Sequence, residues 1–156
     1  MTTPLEHPAV WAGEDLPQRA DWPARFDEAD ASKIRDQLEH GSGAVLLKGF
    51  PIERYDQDSA REAFREWTAS LGTLLSQNEM GDTVFDVSDA GLGENDPRTR
   101  GPNTNRKLSF HTDRCDVIAF LCWRQAKTGG ENELISSMHL YNEIAKRRPD
   151  LLDALM

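Results

Sequence analysis

The sequence predicts an α+β domain with a mainly β core and flanking helices. Short apolar runs bounded by glycines or polar residues recur along the chain, which is typical of β-strands. Between them lie segments whose apolar residues return every three or four positions, which is typical of helices packed on one face. With 156 residues, the chain is long enough for one domain with a buried core.

The N-terminal third is predicted to contain an irregular arm, a helix and a strand. Residues 1–25 carry four prolines without periodicity and form the arm, whereas residues 26–156 form the domain itself. The helix begins at Asp30 in "DASKIRDQLEHGSG", where Ile34 and Leu38 lie one turn apart and a glycine follows. The strand is "GAVLLKGF", a short apolar run between glycines.

The remainder alternates further helices and strands around one long connector. Residues 58–72, "DSAREAFREWTASLG", place four apolar side chains on one helix face: Ala60, Phe64, Trp67 and Leu71. The runs "DTVFDVSD", "VIAFLCWR" and "NELISS" are predicted strands, the second buried on both faces. A polar connector joins the first two of these strands, and a loop of such length is usually functional or disordered. "MHLYNEIAKRR" is predicted to be a helix, and Pro149 to open another.

Composition excludes several classes of function. The net charge of −9 argues against a general nucleic-acid binder, which needs a basic face, and against docking on an anionic membrane surface. No apolar stretch reaches the roughly 18 residues that a spanning helix requires. The N-terminus lacks the basic start and apolar middle of a signal peptide, so a cytoplasmic location is expected.

The most informative motif is "HTD", His111 to Asp113, at the start of the longest apolar run. With four histidines and 27 acidic residues, one such pair is expected by chance, so its context must decide. On a strand, residues i and i+2 share a face and can bind one ion, whereas on a helix they point apart. One imidazole, one carboxylate and a second imidazole form the facial triad of non-haem iron oxygenases. The alternative is a pair of solvated residues at a strand end.

The order and spacing of the motifs resemble one protein family. "HTD", an apolar strand, "AKTGGE", another strand and the "SSMHLYNEI" helix resemble the TauD/TfdA-type dioxygenases, which use iron(II) and 2-oxoglutarate. The resemblance covers roughly residues 26–156, as the N-terminal portion of one such domain. It implies a double-stranded β-helix, a jelly-roll with flanking helices, incomplete at its C-terminus. It also implies hydroxylation of a C–H bond with 2-oxoglutarate and O2 as co-substrates, succinate and carbon dioxide being released.

The resemblance assigns roles to individual residues. His111 and Asp113 match the first two iron ligands. Asn132 occupies the position where many relatives carry a threonine or serine that helps to bind 2-oxoglutarate; the alternative is an asparagine favoured beside a glycine turn. The connector before the ligand strand lies near the substrate in relatives. Its substrate-binding candidates are Asn103, Asn105 and Arg106, and its basic residues, which could also be solvated loop charges, are Arg98, Arg100, Arg106 and Lys107.

Two expected groups are missing from the sequence. The family's second iron histidine and its 2-oxoglutarate-binding arginine come long after the His-x-Asp, and none of His7, His40 or His139 matches that histidine. We therefore expect the N-terminal half of an enzyme acting on a small polar or carboxylated metabolite whose identity the sequence does not reveal. One alternative is an inactive, truncated or degenerate member. Another is association, through unpaired strand edges or with a chain that supplies the missing half.

Overall fold

The computed structural model of the chain describes residues 3–20, 22–92, 96, 103–104 and 106–154. Their backbone contacts divide the chain into two compact units. One consists of Met1–Pro51 together with Asn132–Met156, and the other of Ile52–Glu131. Within the described ranges, no helix has the length and apolar content needed to cross a membrane.

Three α-helices account for most of the regular structure. Helix α1 spans Ala31–Glu39, α2 spans Gln57–Ala69 and α3 spans Ser137–Arg147. Each begins after a residue whose side chain accepts a hydrogen bond from a backbone N–H of the first turn: Asp30, Asp56 and Ser136. These helices confirm the sequence prediction within a residue or two. The segment opened by Pro149 is also helical, but as a 3₁₀ turn over Pro149–Ala154.

The first unit contains a short parallel pair of strands and most of the buried apolar side chains. Strand β1 (Ala24–Arg25) pairs with β2 (Leu47–Lys48), and Ala24 lies opposite Leu47. Strand β2 lies within the predicted "GAVLLKGF" strand but covers only two of its residues. The buried apolar side chains of this unit are Trp11, Leu16, Ile34 and Leu152. Two of them, Trp11 and Leu16, come from the segment predicted as an irregular arm.

The second unit is organised around α2. Ala60, on the predicted apolar face, is 1% exposed, and Phe64, Trp67 and Leu71 on the same face are half-buried. Glu62 and Glu66 lie on the exposed side. The helix therefore has the amphipathic character that its sequence predicts.

The predicted β core is not formed by the described residues. "DTVFDVSD", "VIAFLCWR" and "NELISS" contain no strand, and Val117, Ile118 and Phe120 are 45–68% exposed rather than buried on both faces. The physical reason is that a strand is stable only when a neighbouring strand satisfies its backbone donors and acceptors. Nowhere in the described ranges does another segment supply that pairing. The double-stranded β-helix is thus not seen in this structure.

Candidate metal centre

His111 and Asp113 lie close together at the end of an irregular segment of the second unit. The Nε2 atom of His111 is 3.8 Å from Oδ2 of Asp113. Both side chains are about half exposed, at 55% and 49%. The segment is not part of a strand, contrary to the predicted strand end. The side chains at positions i and i+2 nevertheless approach one another, as the sequence predicts.

A backbone carbonyl fixes the tautomer of the His111 ring. Its Nδ1 atom lies 2.8 Å from the carbonyl oxygen of Ser109. Because a carbonyl oxygen only accepts hydrogen bonds, Nδ1 carries the proton and donates it. The neutral ring then has its lone pair on Nε2, the atom that faces Asp113. Metal-binding histidines are commonly held in this way, by a carbonyl on the nitrogen that does not bind the metal.

These two residues fit a metal ion in their chemistry, and their donor atoms lie close to the spacing that one ion requires. A lone pair and a carboxylate oxygen are the nitrogen and oxygen donors of the facial triad. Bonds of about 2.1 Å at the roughly 90° angle of neighbouring ligands put two donors about 3.0 Å apart. The observed 3.8 Å therefore needs a small rotation of these half-exposed side chains before both can bind one ion. A protonated His111 would form an ion pair with Asp113 instead. In the described part of the chain, no group of three or more His, Cys, Asp or Glu residues could hold a metal.

The other three histidines make different contacts. His7 accepts a hydrogen bond on Nδ1 from the amide of Ala9, 3.1 Å away. His40 ends α1 with its Nδ1 atom 3.1 Å from Oδ1 of Asp36, one helical turn earlier. His139 lies in the first turn of α3. His40 and Asp36 are thus a second exposed pair of histidine and aspartate, held by helix spacing.

Comparison with known proteins identifies the family. The family model described as "Taurine catabolism dioxygenase TauD, TfdA family" matches residues 3–156. The chain belongs to the TauD/TfdA family. The predicted resemblance is therefore confirmed over nearly the whole sequence.

Three curated relatives align with about three quarters of the chain. It is 40% identical over 118 residues to FR-33289 synthase of Streptomyces rubellomurinus, covering 75% of this chain and 35% of that protein. It is 36% identical over 129 residues to the taurine hydroxylase-like protein SAT17 of Stachybotrys chartarum, covering 78% and 34%. It is 27% identical over 128 residues to a clavaminate synthase-like protein of Arabidopsis thaliana, covering 77% and 35%. The chain spans about a third of the length of these relatives. No solved structure matches it.

The TauD/TfdA candidate for 2-oxoglutarate binding, Asn132, lies in the first unit. It is exposed and follows two glycines, Gly129 and Gly130, with φ of 74° and 80°. Residues with a side chain rarely adopt such angles, so the turn requires glycine at both positions. Asn132 is thus presented just after a tight turn. Its amide can donate and accept hydrogen bonds.

The connector is described only in part. Arg98, Arg100 and Asn105 lie outside the described residues. Asn103 is half-buried, and its carbonyl accepts a hydrogen bond from the amide of Ala90 at 3.0 Å. Arg106 is exposed, and its amide donates to Oγ1 of Thr104 at 3.4 Å. These bonds tie the ends of the connector locally and leave the Arg106 guanidinium on the surface.

A cluster of charges on α2 was missed from the sequence. Arg61 donates to the carboxylates of Asp58 at 2.8 Å and Asp86 at 2.6 Å. The Arg61 guanidinium holds the pKa of the Asp86 carboxyl below its usual value, although burial opposes this. A cavity of about 250 Å³ lies beside it, lined by Arg61, Glu62, Arg65 and residues 81–84. No sequence spacing relates positions 61 and 86, so only the fold could reveal this pair.

Proposed function

We propose that this chain is part of an iron(II)- and 2-oxoglutarate-dependent dioxygenase that hydroxylates a C–H bond of a small polar or carboxylated metabolite. The observation that carries the proposal is the Nε2 lone pair of His111 facing the Asp113 carboxylate at 3.8 Å. The chain belongs to the TauD/TfdA family, and the order and spacing of its motifs support taking His111 and Asp113 as the first two ligands. When bound, iron(II) would supply oxygen activation, coupled to decarboxylation of 2-oxoglutarate to succinate.

The residues of the chain would hold and orient the reactants. His111 would bind the metal through Nε2, and the Ser109 carbonyl keeps the ring in the required tautomer. Asp113 would supply the anionic oxygen ligand and offset part of the metal's charge. Asn132 would donate its amide hydrogen bond to 2-oxoglutarate. The third ligand and the arginine for the far carboxylate would come from residues outside this sequence.

The connector supports an anionic substrate. Its basic side chains, Arg106 and Lys107 among the described residues, are local positive charges in a protein of net charge −9. Asn103 and Asn105 would add amide groups that can bind carboxylate or sulfonate oxygens. Taurine, named in the family description and in one relative, is itself a small sulfonate. We therefore include sulfonates with carboxylates in the substrate class.

A second candidate is an inactive member that acts, if at all, as a binding or subunit partner. The specific observation in its favour is that the described ranges contain no three-residue cluster able to hold a metal. In a related alternative, a separate chain supplies the second iron histidine and the arginine that binds 2-oxoglutarate. The dioxygenase proposal gives a role to the Nε2 lone pair of His111 that faces Asp113, whereas the second candidate gives it none.

Succinate formation tests the proposal. The natural polypeptide carrying these residues is supplied with iron(II), 2-oxoglutarate, O2 and a panel of small carboxylates and sulfonates. We expect O2-dependent succinate. His111→Ala and Asp113→Ala should lower its rate by at least about 100-fold, because loss of an outer-shell partner alone costs 10- to 100-fold.

His40→Ala is the matched control. It removes the other exposed histidine that is paired with an aspartate, and it should leave the rate within about twofold. No succinate with any panel member would favour the inactive candidate. Activity that appears only with a co-purifying polypeptide would indicate a shared site. Equal activity of His111→Ala and wild type would refute the assignment of this ligand.

A further inference from the structure

The N-terminal segment is bound by α3 through its backbone. The side-chain amide of Asn142 accepts from the Leu5 amide at 2.8 Å and donates to the Leu5 carbonyl at 2.9 Å. Four residues later, the Ala9 carbonyl accepts a hydrogen bond from the Ser136 hydroxyl. These groups all belong to the first unit. Because the contacts on Leu5 and Ala9 are to backbone atoms, they fix the path of the segment irrespective of its side chains.

Two buried side chains, Trp11 and Ser136, make further contacts that hold the N-terminal segment in place. Trp11 is 6% exposed, and its indole Nε1 donates to the Ser42 carbonyl at 2.9 Å. Ser136 is 5% exposed and also caps α3, accepting from the His139 amide at 3.0 Å. The Ser136 hydroxyl thus joins the start of α3 to the N-terminal segment in one buried place.

Ser136 also ends the segment that carries the 2-oxoglutarate candidate. Every residue from Arg124 to Ile135 is exposed, and Ser136 is the first buried residue after them. The turn at Gly129 and Gly130 lies on one side of Asn132, and Ser136 lies four residues away on the other. Ser136 is therefore the first buried anchor that follows Asn132 along the chain.

We propose that Ser136 and Asn142 are positioning residues, which use the docked N-terminal segment to hold Asn132 in place for the co-substrate. This inference rests on the proposed function, because it takes Asn132 to contact 2-oxoglutarate. Neither residue touches the reacting atoms. Ser136 acts through the short segment that it ends, and Asn142 acts by keeping Leu5, and with it the Ala9 carbonyl, in register with α3.

A graded set of variants tests the coupling. Asn142→Ala removes both bonds to Leu5, whereas Asn142→Asp keeps an acceptor and loses the donor. Ser136→Ala removes the cap and the bond to Ala9, and Ser136→Thr retains the hydroxyl. Glu143→Ala is the matched control on α3, because Glu143 pairs with Arg147 on the same helix.

Two readouts are taken, hydrogen–deuterium exchange of the chain and kinetics of the natural polypeptide. We expect faster exchange at residues 3–12 in Asn142→Ala, because the bonds to Leu5 are lost. The KM for 2-oxoglutarate should rise about threefold to tenfold with kcat nearly unchanged, as for the loss of one or two hydrogen bonds. The KM of Asn142→Asp should lie between those of wild type and Asn142→Ala. Ser136→Thr and Glu143→Ala should have the KM of wild type.

The possible failures are distinguishable. If wild type forms succinate but the KM for 2-oxoglutarate is unchanged in Asn142→Ala and Ser136→Ala, the positioning role is refuted and the proposed function stands. Unchanged exchange at residues 3–12 in Asn142→Ala would show that Asn142 does not hold the N-terminal segment, and it would also refute the coupling. If wild type forms no succinate with any substrate, the proposed function fails first, and the co-substrate role fails with it.

Discussion

At the residue scale, one backbone carbonyl determines what His111 can do. The Ser109 carbonyl oxygen accepts a hydrogen bond from the Nδ1–H of the neutral ring, which leaves the lone pair on Nε2, 3.8 Å from the Asp113 carboxylate. The proximity of these two candidate ligands was predictable from the "HTD" motif, because positions i and i+2 of an extended chain share a side. The tautomer was not predictable, since it depends on where a carbonyl two residues earlier points. The sequence therefore indicated the pair, and the structure adds the hydrogen bond that selects the tautomer of the neutral His111 ring.

Also at this scale, the Arg61–Asp86 pair should make the second unit sensitive to acid. The Arg61 guanidinium lowers the pKa of the Asp86 carboxyl. A carboxyl with a lowered folded-state pKa stabilises the fold above its unfolded pKa of about 3.9, and this contribution is lost as the pH falls through the folded value. Asp86→Asn should thus lower the free energy of unfolding at pH 7 by at most about 1 kcal/mol, since the side chain is half exposed.

Urea unfolding at several pH values measures the effect of Asp86→Asn. The difference from wild type should be largest near pH 7. It should fade as the pH falls below about 3.9, the unfolded pKa of an aspartate, and through the lowered pKa of the folded carboxyl. Glu53→Gln, an exposed acid of the same unit, serves as control. A difference that persists unchanged at acidic pH would show that the ion pair is not its cause.

At the element scale, helices were predictable and strands were not. The start of α1 was predictable from the capping residue Asp30, and α2 was predictable from the apolar face that includes Ala60. Both signals lie within a few positions of the chain, and such local patterns determine a helix. The segment at 117–124 has the composition of a buried strand, but a strand also needs a partner that may lie anywhere in the sequence. In the described ranges that partner is absent, and the segment is irregular and exposed.

The start of α2 offers a test at the element scale. Asp56 accepts from the Ser59 amide at 2.8 Å, and the Ser59 hydroxyl accepts from the Asp56 amide at 3.1 Å. Ser59→Ala removes the second half of this capping box and should reduce the free energy of unfolding by about 0.5–1 kcal/mol. Thermal unfolding followed by circular dichroism measures it, with Ser88→Ala, which changes an exposed serine of the same unit, as control. An equal loss in both variants would contradict a specific role for the box.

At the scale of the whole molecule, the described part of the chain exposes more large apolar side chains than a complete folded domain usually does. Leu108, Phe110, Val117, Ile118 and Phe120 are all 45–68% exposed within one stretch of the second unit. Large exposed apolar patches favour association. The chain spans about a third of its relatives' length, and we propose that a double-stranded β-helix of the whole protein would cover this stretch. The cytoplasmic location and the boundary at residue 25 stay predictions.

This exposure predicts self-association of the isolated 156-residue chain. Sedimentation velocity should detect species larger than the 17.6 kDa monomer at about 10–100 μM. Replacing Phe110 and Phe120 together by Ser should return the chain towards monomer. Met80→Ser, which changes an 84% exposed side chain elsewhere in the same unit, should not. A wild-type chain that stays monomeric throughout this range would contradict the prediction.

The most direct test of the central claim is calorimetric titration of the natural polypeptide with iron(II) under anaerobic conditions. The account predicts one metal site that His111→Ala and Asp113→Ala abolish and that His40→Ala leaves unchanged. A binding isotherm that is the same for wild type and His111→Ala would contradict the assignment of His111 and Asp113 as iron ligands.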